Sequence, residues 1–212
     1  MSFHLRRAAL FLVSGLTSLA VGQYVPKIPN VDVSIPNRVL KIEAKNACDV
    51  DFRNIRMFGE NAGWTARLQD GKYEQRVDSA YEAATINQVN CLDGKESGGQ
   101  HALVTANWLD CGGSCTSIGV AQVFVVREDH PVITQQFVFD SHAKGTGATF
   151  DEKSLILTII GRTDDDSPDC CAKNLDVVRY QWNGSRFTRR SFKRVAAPPA
   201  DTISDLSTPA QR

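Results

Sequence analysis

The sequence predicts a mainly β protein, α+β at most, built as a single antiparallel β-rich domain of six to nine strands and stabilised by disulfides. Apolar residues alternate with polar ones at a period of two, which is typical of strands. Asp70-Gly71 and Asn183-Gly184 stand between such runs, where tight hairpin turns favour these dipeptides. Six cysteines in 212 residues add disulfides to the prediction, because they favour an oxidising compartment.

The first half of the chain is predicted to hold short strands. Residues 49–58 alternate with one shift of phase, which indicates two short strands or one bulged strand. Residues 64–68 and 72–77 are predicted to form a hairpin across Asp70-Gly71. The helical propensity of residues 79–84 supports at most one or two turns.

Strand character returns at residues 85–91 and continues to the last hairpin. Residues 101–109 and 118–127 carry apolar side chains on both faces, so these two strands are predicted to be central. Strands are also predicted at residues 132–139 and 154–161. Residues 177–182 and 186–192 are predicted to form a last hairpin across Asn183-Gly184.

The N-terminus is typical of an export signal. Residues 1–7 are basic, an apolar run follows, and Ala20-Val21-Gly22 supplies small residues for cleavage before Gln23. The apolar run is shorter than the roughly 20 residues of a membrane span, so no transmembrane segment is expected in the mature chain. The predicted divisions are a signal peptide (1–22), an extended arm (23–38), the β-rich domain (39–195) and a disordered tail (196–212).

The charge balance is neutral, with 24 basic and 24 acidic residues. No global field draws the chain to nucleic acid or to an anionic membrane, so no nucleic-acid partner is expected. The expected partner is an unknown envelope or extracellular molecule, and the expected location is periplasmic or secreted.

Cys111 and Cys115 form the most conspicuous motif, since Gly112-Gly113 between them permits a sharp turn. The pair is open to three interpretations: structural disulfides, half of a zinc site completed by Cys170-Cys171 or His142, or a catalytic thiol. A redox motif normally has two intervening residues at a helix N-terminus. Exported cysteines are usually oxidised, which favours structural disulfides.

All six cysteines are therefore disulfide candidates, and their positions relative to the predicted strands favour some pairings over others. Cys48 and Cys91 flank strand-like segments in the N-terminal half and are expected to pair. Adjacent cysteines bond to each other only through a strained ring. Cys170 and Cys171 are accordingly expected to bond to the central hairpin at Cys111 and Cys115.

No residue is predicted to be catalytic, to bind a cofactor or to hold a metal. The acidic cluster of residues 164–169 offers oxygens to calcium but lacks the EF-hand order, which favours solvated loop charge. Ser114 is not in a nucleophile elbow, and His130 and His142 fit surface loops better than a catalytic signature. Asn183-Gly184-Ser185 matches a glycosylation sequon that turn chemistry also explains.

The region from about residue 68 to residue 192 resembles a group of uncharacterised exported bacterial proteins, and is loosely similar to the LppP/LprE lipoproteins. The motifs that carry the resemblance are Asp93-Gly94, Ala102-Leu103-Val104, Cys111-Gly112-Gly113-Ser114, Ala121-Gln122-Val123-Phe124-Val125, Lys144-Gly145-Thr146-Gly147, Leu155-Ile156-Leu157, Cys170-Cys171 and Arg179-Tyr180-Gln181-Trp182-Asn183-Gly184. The resemblance implies a β-rich envelope or secreted module and no established activity.

Three functional hypotheses follow. The first is a non-enzymatic exported module that binds or scaffolds a component of the envelope. The second is a thiol–disulfide or metal-binding protein that uses Cys111 and Cys115. The third is a hydrolase built on His142 and the acidic loop, which requires those groups to meet in one pocket.

Overall fold

The computed structural model describes residues 39–58, 65–94, 100–111, 115–163 and 172–198. Within them, two short 3₁₀ turns, Ala47–Asp49 and Phe52–Asn54, precede eleven strands. The strands are β1 (Arg56–Phe58), β2 (Thr65–Arg67), β3 (Lys72–Val77), β4 (Ala80–Leu92), β5 (His101–Cys111), β6 (Cys115–Arg127), β7 (His130–Asp140), β8 (Gly147–Asp151), β9 (Ile156–Arg162), β10 (Asn174–Trp182) and β11 (Phe187–Ala196).

A five-stranded antiparallel sheet, in the order β3-β4-β5-β6-β7, forms the centre of the molecule. Each strand pairs with the next along the chain. In β5, Val104 and Trp108 contribute to the core on one face and Leu103 to the core on the other. The prediction that β5 is a central strand with two apolar faces is therefore confirmed.

A second antiparallel sheet, in the order β11-β10-β9-β8, packs against one face of the first. Its buried side chains alternate along each strand, as Leu157 and Ile159 do in β9. The rings of Phe137 in β7 and Tyr180 in β10 lie 4.6 Å apart between the two sheets. Burial there raises the pKa of Tyr180 to about 12.

The N-terminal segment packs on the other face of the five-stranded sheet. Phe52 lies 4.8 Å from Phe124 of β6, measured between ring centroids. Met57 of β1 and Ala66 of β2 belong to the same buried cluster. The central sheet is thus covered on both faces, which explains the apolar character of its middle strands.

The β-rich, antiparallel, disulfide-stabilised fold is confirmed, with eleven described strands instead of six to nine. The prediction of a short helical stretch at residues 79–84 is wrong, because residues 80–84 begin β4 and pair with β3. Cross-strand pairing outweighs helix propensity in so short a segment. No strand was predicted at residues 147–151, where β8 lies.

The Asp70-Gly71 turn forms, but the hairpin prediction around it is only partly right. Both residues have positive φ, 50° and 80°, and an isolated bridge joins Gln69 to Lys72. β2 and β3 nevertheless enter different sheets, because β2 pairs with β1 and β3 with β4. Of residues 49–58, which were predicted as strand, only Arg56–Phe58 forms one, while Asp49 ends the first 3₁₀ turn and Phe52–Asn54 forms the second.

Candidate functional site

The far end of the β5–β6 hairpin carries a disulfide. Cys111 and Cys115 are directly opposite each other in the strand register, with their Cα atoms 4.0 Å apart, and they are bonded to each other. The expectation that they bond to Cys170 and Cys171 is therefore wrong. The antiparallel register brings the two thiols together before either can reach another segment.

The second disulfide joins Cys48 to Cys91, with Cα atoms 5.6 Å apart, which confirms the predicted pair. It links the first 3₁₀ turn, Ala47–Asp49, to the end of β4. Cys170 and Cys171 lie outside the described residues.

His142 lies beside the Cys111–Cys115 disulfide. β7 ends at Asp140, and the chain then turns so that the imidazole Nε2 lies 2.6 Å from the Cys115 carbonyl oxygen. The Asp140 carboxylate lies 3.2 Å from Nδ1 and accepts a hydrogen bond from the His142 backbone N–H. These contacts hold the ring between a carboxylate and the backbone of the disulfide-bonded hairpin.

Two serines and an arginine complete this cluster, hereafter the hairpin-end cluster: Cys111, Cys115, Ser117, Asp140, Ser141, His142 and Arg162. Ser117 Oγ lies 2.8 Å from Ser141 Oγ, while the Ser117 backbone N–H donates to the imidazole of His142. Arg162 Nη1 lies 3.8 Å from Asp140 Oδ2. Ser117 contacts the imidazole through its backbone N–H and helps to orient the ring. Its hydroxyl is hydrogen-bonded to Ser141 and does not contact His142 in the same way.

The two other histidines of the described residues, His101 and His130, serve the fold. His101 packs edge-on against Trp182, with ring centroids 5.1 Å apart. Burial, together with the charge of Arg127, lowers the pKa of His101 below its usual 6.5. His130 Nδ1 contacts the Ile42 carbonyl oxygen at 2.9 Å.

His130 also lines a shallow open cavity of about 290 Å³ at the β6–β7 turn. The other lining residues are Val39, Arg127, Glu128 and Val132. Asp129 of the same turn forms an exposed ion pair with Lys45 of the N-terminal segment, with a separation of 2.8 Å.

The hydrolase hypothesis places His142 against residues 164–169, and those acidic residues lie outside the described chain, as does Ser114. The carboxylate that the structure shows beside His142 is Asp140. No group of three or more His, Cys, Asp or Glu side chains within the described ranges is arranged to hold a metal ion. At Asn183 the turn interpretation is confirmed, because the side-chain oxygen accepts from the backbone N–H groups of Ser185 and Arg186.

Sequence reasoning missed Asp140, Ser117, Ser141 and Arg162 as neighbours of His142. The contiguous Asp140-Ser141-His142 was a visible signal, since aspartate can bond to a backbone N–H two residues later. The contact with Cys115 depends on the β6–β7 register, which sequence patterning does not specify.

Comparisons with family models, with curated proteins and with solved structures give no match, so the site is interpreted from its own geometry. Within the described residues, no helix is long and apolar enough to cross a membrane.

Proposed function

We propose that this chain is an exported, non-enzymatic binding or scaffold module that works in a periplasmic or secreted setting. The observation that carries the proposal is the presence of two disulfides in the described fold, Cys48–Cys91 and Cys111–Cys115. Structural disulfides persist in oxidising compartments and are rare in the cytosol. The basic and apolar N-terminus supports the same location.

The contacts of His142 support binding over hydrolysis. Its ring lies against a carbonyl oxygen, a carboxylate and a backbone N–H. A general base needs a free ring nitrogen within reach of the proton that it removes. These contacts fix the end of a hairpin, which suits a rigid binding surface.

Export and oxidation can be tested together on the full chain. Expressed with its own N-terminus in a bacterial host, the protein should accumulate in the periplasm or medium and begin at Gln23. Denatured without reductant, it should show almost no reaction with a thiol reagent. A chain that retains Met1, stays in the cytosol and carries four or more free thiols would overturn the proposal.

A second candidate function is thiol–disulfide exchange at Cys111 and Cys115, and the exposure of Cys115 favours it. A disulfide reacts only where an attacking thiolate can reach a sulfur atom. In the reduced protein, the thiolate of one cysteine would attack a disulfide of a substrate protein and release one substrate thiolate. The other cysteine would then displace the second substrate thiolate and restore the Cys111–Cys115 bond.

Insulin reduction in the presence of dithiothreitol tests this candidate. Acceleration that disappears in Cys111→Ser/Cys115→Ser and persists in Cys48→Ser/Cys91→Ser, provided that this variant folds, would support exchange at the hairpin end. A rate equal to that of dithiothreitol alone, with the wild-type protein fully folded, would dispose of it.

A further inference from the structure

No described element covers most of the outer face of the four-stranded sheet, hereafter the outer face. At one end of this face the Gly145 loop lies against Leu175, which is buried. The residues of the outer face alternate with those that pack against the five-stranded sheet, so they follow from the strand register. Beyond the end at Leu175, Arg162 and Val195, they are, from the β8 side to the β11 side, Thr149, Asp151, Ile156, Thr158, Ile160, Val177, Arg179, Gln181, Thr188, Ser191 and Lys193. Arg190 stands at the bulge of β11 and joins them through its hydrogen bond to Gln181.

Positive charge is concentrated on one half of this face. Arg179, Arg190 and Lys193 are all exposed on β10 and β11, and Arg190 donates to Gln181 at 3.1 Å. Arg179 lies opposite Ser191, so these cations occupy neighbouring strand positions. The segment from Arg186 to Arg194 contains five basic residues in nine, a density that the neutral balance of the whole chain conceals.

Two acidic side chains on the described strands of this sheet lie away from the outer-face cations. Asp176 is buried and bonded to Arg194 at 2.9 Å, on the inner side of the same sheet. Asp151 lies at the opposite margin, on β8, where it accepts hydrogen bonds from Ser154 and Lys153. Hydrogen bonding to these partners lowers the pKa of Asp151. Among the described residues, the charges on the β10–β11 half of the outer face are therefore predominantly positive.

Aliphatic side chains lie beside the cations. Ile156, Ile160 and Val177 are each only partly buried, although they stand on central strands of the sheet. Lys193 is directly opposite Val177 in the register, and Arg179 is directly opposite Thr158. The face thus combines exposed positive charge with partly exposed apolar surface on one sheet.

We propose that the outer face binds the anionic phospholipid surface of a membrane. Cations on a sheet face can meet many phosphates of a bilayer at once, and each basic residue near such a surface contributes about 1 kcal/mol. The aliphatic residues would lie at the headgroup level beside them. The protein would be held at the surface peripherally.

An acidic peptide that adds a strand along the edge of β11 is an alternative partner, and it matches the structure less well than a membrane does. The register shifts at Arg179/Tyr180, where Arg190 interrupts the pairing of β11 with β10. A bulge and a row of charges are devices by which proteins prevent edge-to-edge pairing. A soluble polyanion would use the cations alone and leave the aliphatic residues without a role.

This inference rests on the proposed function, because an exported module would meet the anionic leaflet of an envelope membrane. The two can fail separately. Free thiols and cytosolic retention would contradict export, whereas vesicle binding of the purified protein reports on the outer face alone.

Co-sedimentation with vesicles tests the inference. The folded, oxidised protein should bind vesicles of phosphatidylglycerol and phosphatidylcholine, bind pure phosphatidylcholine far less, and dissociate as salt is raised. Arg179→Gln/Arg190→Gln/Lys193→Gln should weaken binding on the order of 100-fold, since each cation contributes about a factor of five. The matched control Lys41→Gln/Arg67→Gln/Lys72→Gln removes the same charge from exposed sites elsewhere and should bind nearly as wild type.

Several results would overturn the inference. Equal binding to neutral and anionic vesicles would do so, as would equal losses in the two triple variants, which would indicate an effect of net charge alone. Stronger affinity for soluble polyphosphate than for vesicles of matched phosphate concentration would assign the face to a free polyanion. Circular dichroism of both variants establishes that each is folded.

Discussion

The two disulfides of the described chain close loops of very different length. Cys48 and Cys91 are 43 residues apart and connect the N-terminal segment to the end of β4. Cys111 and Cys115 are 4 residues apart and connect two strands that already pair along their whole length. Loop-closure entropy gives about 4 kcal/mol for the first and about 2 kcal/mol for the second.

The difference in loop length gives the two disulfides different roles, since Cys48–Cys91 holds two distant parts of the fold together and Cys111–Cys115 closes one hairpin. The N-terminal segment covers one face of the central sheet, and the Cys48–Cys91 bond limits how far it can leave that face. The Cys111–Cys115 bond joins residues that the β5–β6 ladder already places opposite each other, so it contributes less than the long-range bond. A bond that stabilises the fold less leaves its cysteines freer for exchange chemistry, which is the second candidate function.

The largest expected effect comes from removing the long-range disulfide. Cys48→Ala/Cys91→Ala should lower the free energy of unfolding by about 4 kcal/mol, because the unfolded chain regains the freedom of a 43-residue loop. Urea unfolding followed by tryptophan fluorescence measures it. If this loss in the free energy of unfolding is smaller than the loss on removing the Cys111–Cys115 bond, the order of the two disulfides is wrong.

Overpacking in the central sheet should have the next largest effect. A Cβ on Gly119 would overlap the ring of Phe139, its register partner on β7 and a buried side chain. Gly119→Ala should therefore cost roughly 3 kcal/mol. On a Phe139→Ala background the same change should cost much less, which a double-mutant cycle would show. Equal costs on both backgrounds would contradict the contact.

Removing the hairpin-end disulfide should cost about 2 kcal/mol, the short-loop value. Cys111→Ala/Cys115→Ala should keep its cooperative unfolding, since β5 and β6 remain paired from Ala102 to Asp110. Comparing this variant with Gly119→Ala separates what packing and what the covalent bond contribute to the hairpin. Loss of cooperative unfolding would show that the bond organises the hairpin.

The smallest expected effect is a pH dependence next to the long-range disulfide. His101 pairs with Leu92, the residue after Cys91, and its pKa is below 6.5 in the folded state. The unfolded chain therefore binds a proton at this site more readily, so stability should fall as pH drops through 6.5. His101→Gln should flatten that slope. An unchanged slope in His101→Gln would contradict the assignment.

Much of the fold could be predicted, because its strands are long and apolar on one or both faces. β5 and β6 were predicted nearly in full from their alternation, and the Asp70-Gly71 turn from its need for positive φ. The start of β4 was missed because its Ala-rich sequence favours a helix locally, while its pairing partners lie in β3 and β5. In such a segment, pairing with strands that are distant in sequence outweighs the local helix propensity.

The site was less predictable, because it depends on register. Cys111 bonds to Cys115 because strand pairing places them opposite each other, a relation that depends on the turn between them. His142 contacts Cys115 because β7 pairs with β6, the strand that begins at Cys115, and β7 ends at Asp140, two residues before His142. The basic run of residues 186–194 is visible in the sequence, but its position beside Arg179 on the outer face depends on the pairing of β10 with β11.

The most direct test of this account is a disulfide map of the oxidised, exported protein, obtained by proteolysis under non-reducing conditions and mass spectrometry. We expect one peptide pair joined through Cys48 and Cys91, and one peptide closed internally by Cys111 and Cys115. Peptides that join Cys111 or Cys115 to Cys170 or Cys171 would contradict it. In that case the hairpin end would be a covalent anchor for the second sheet.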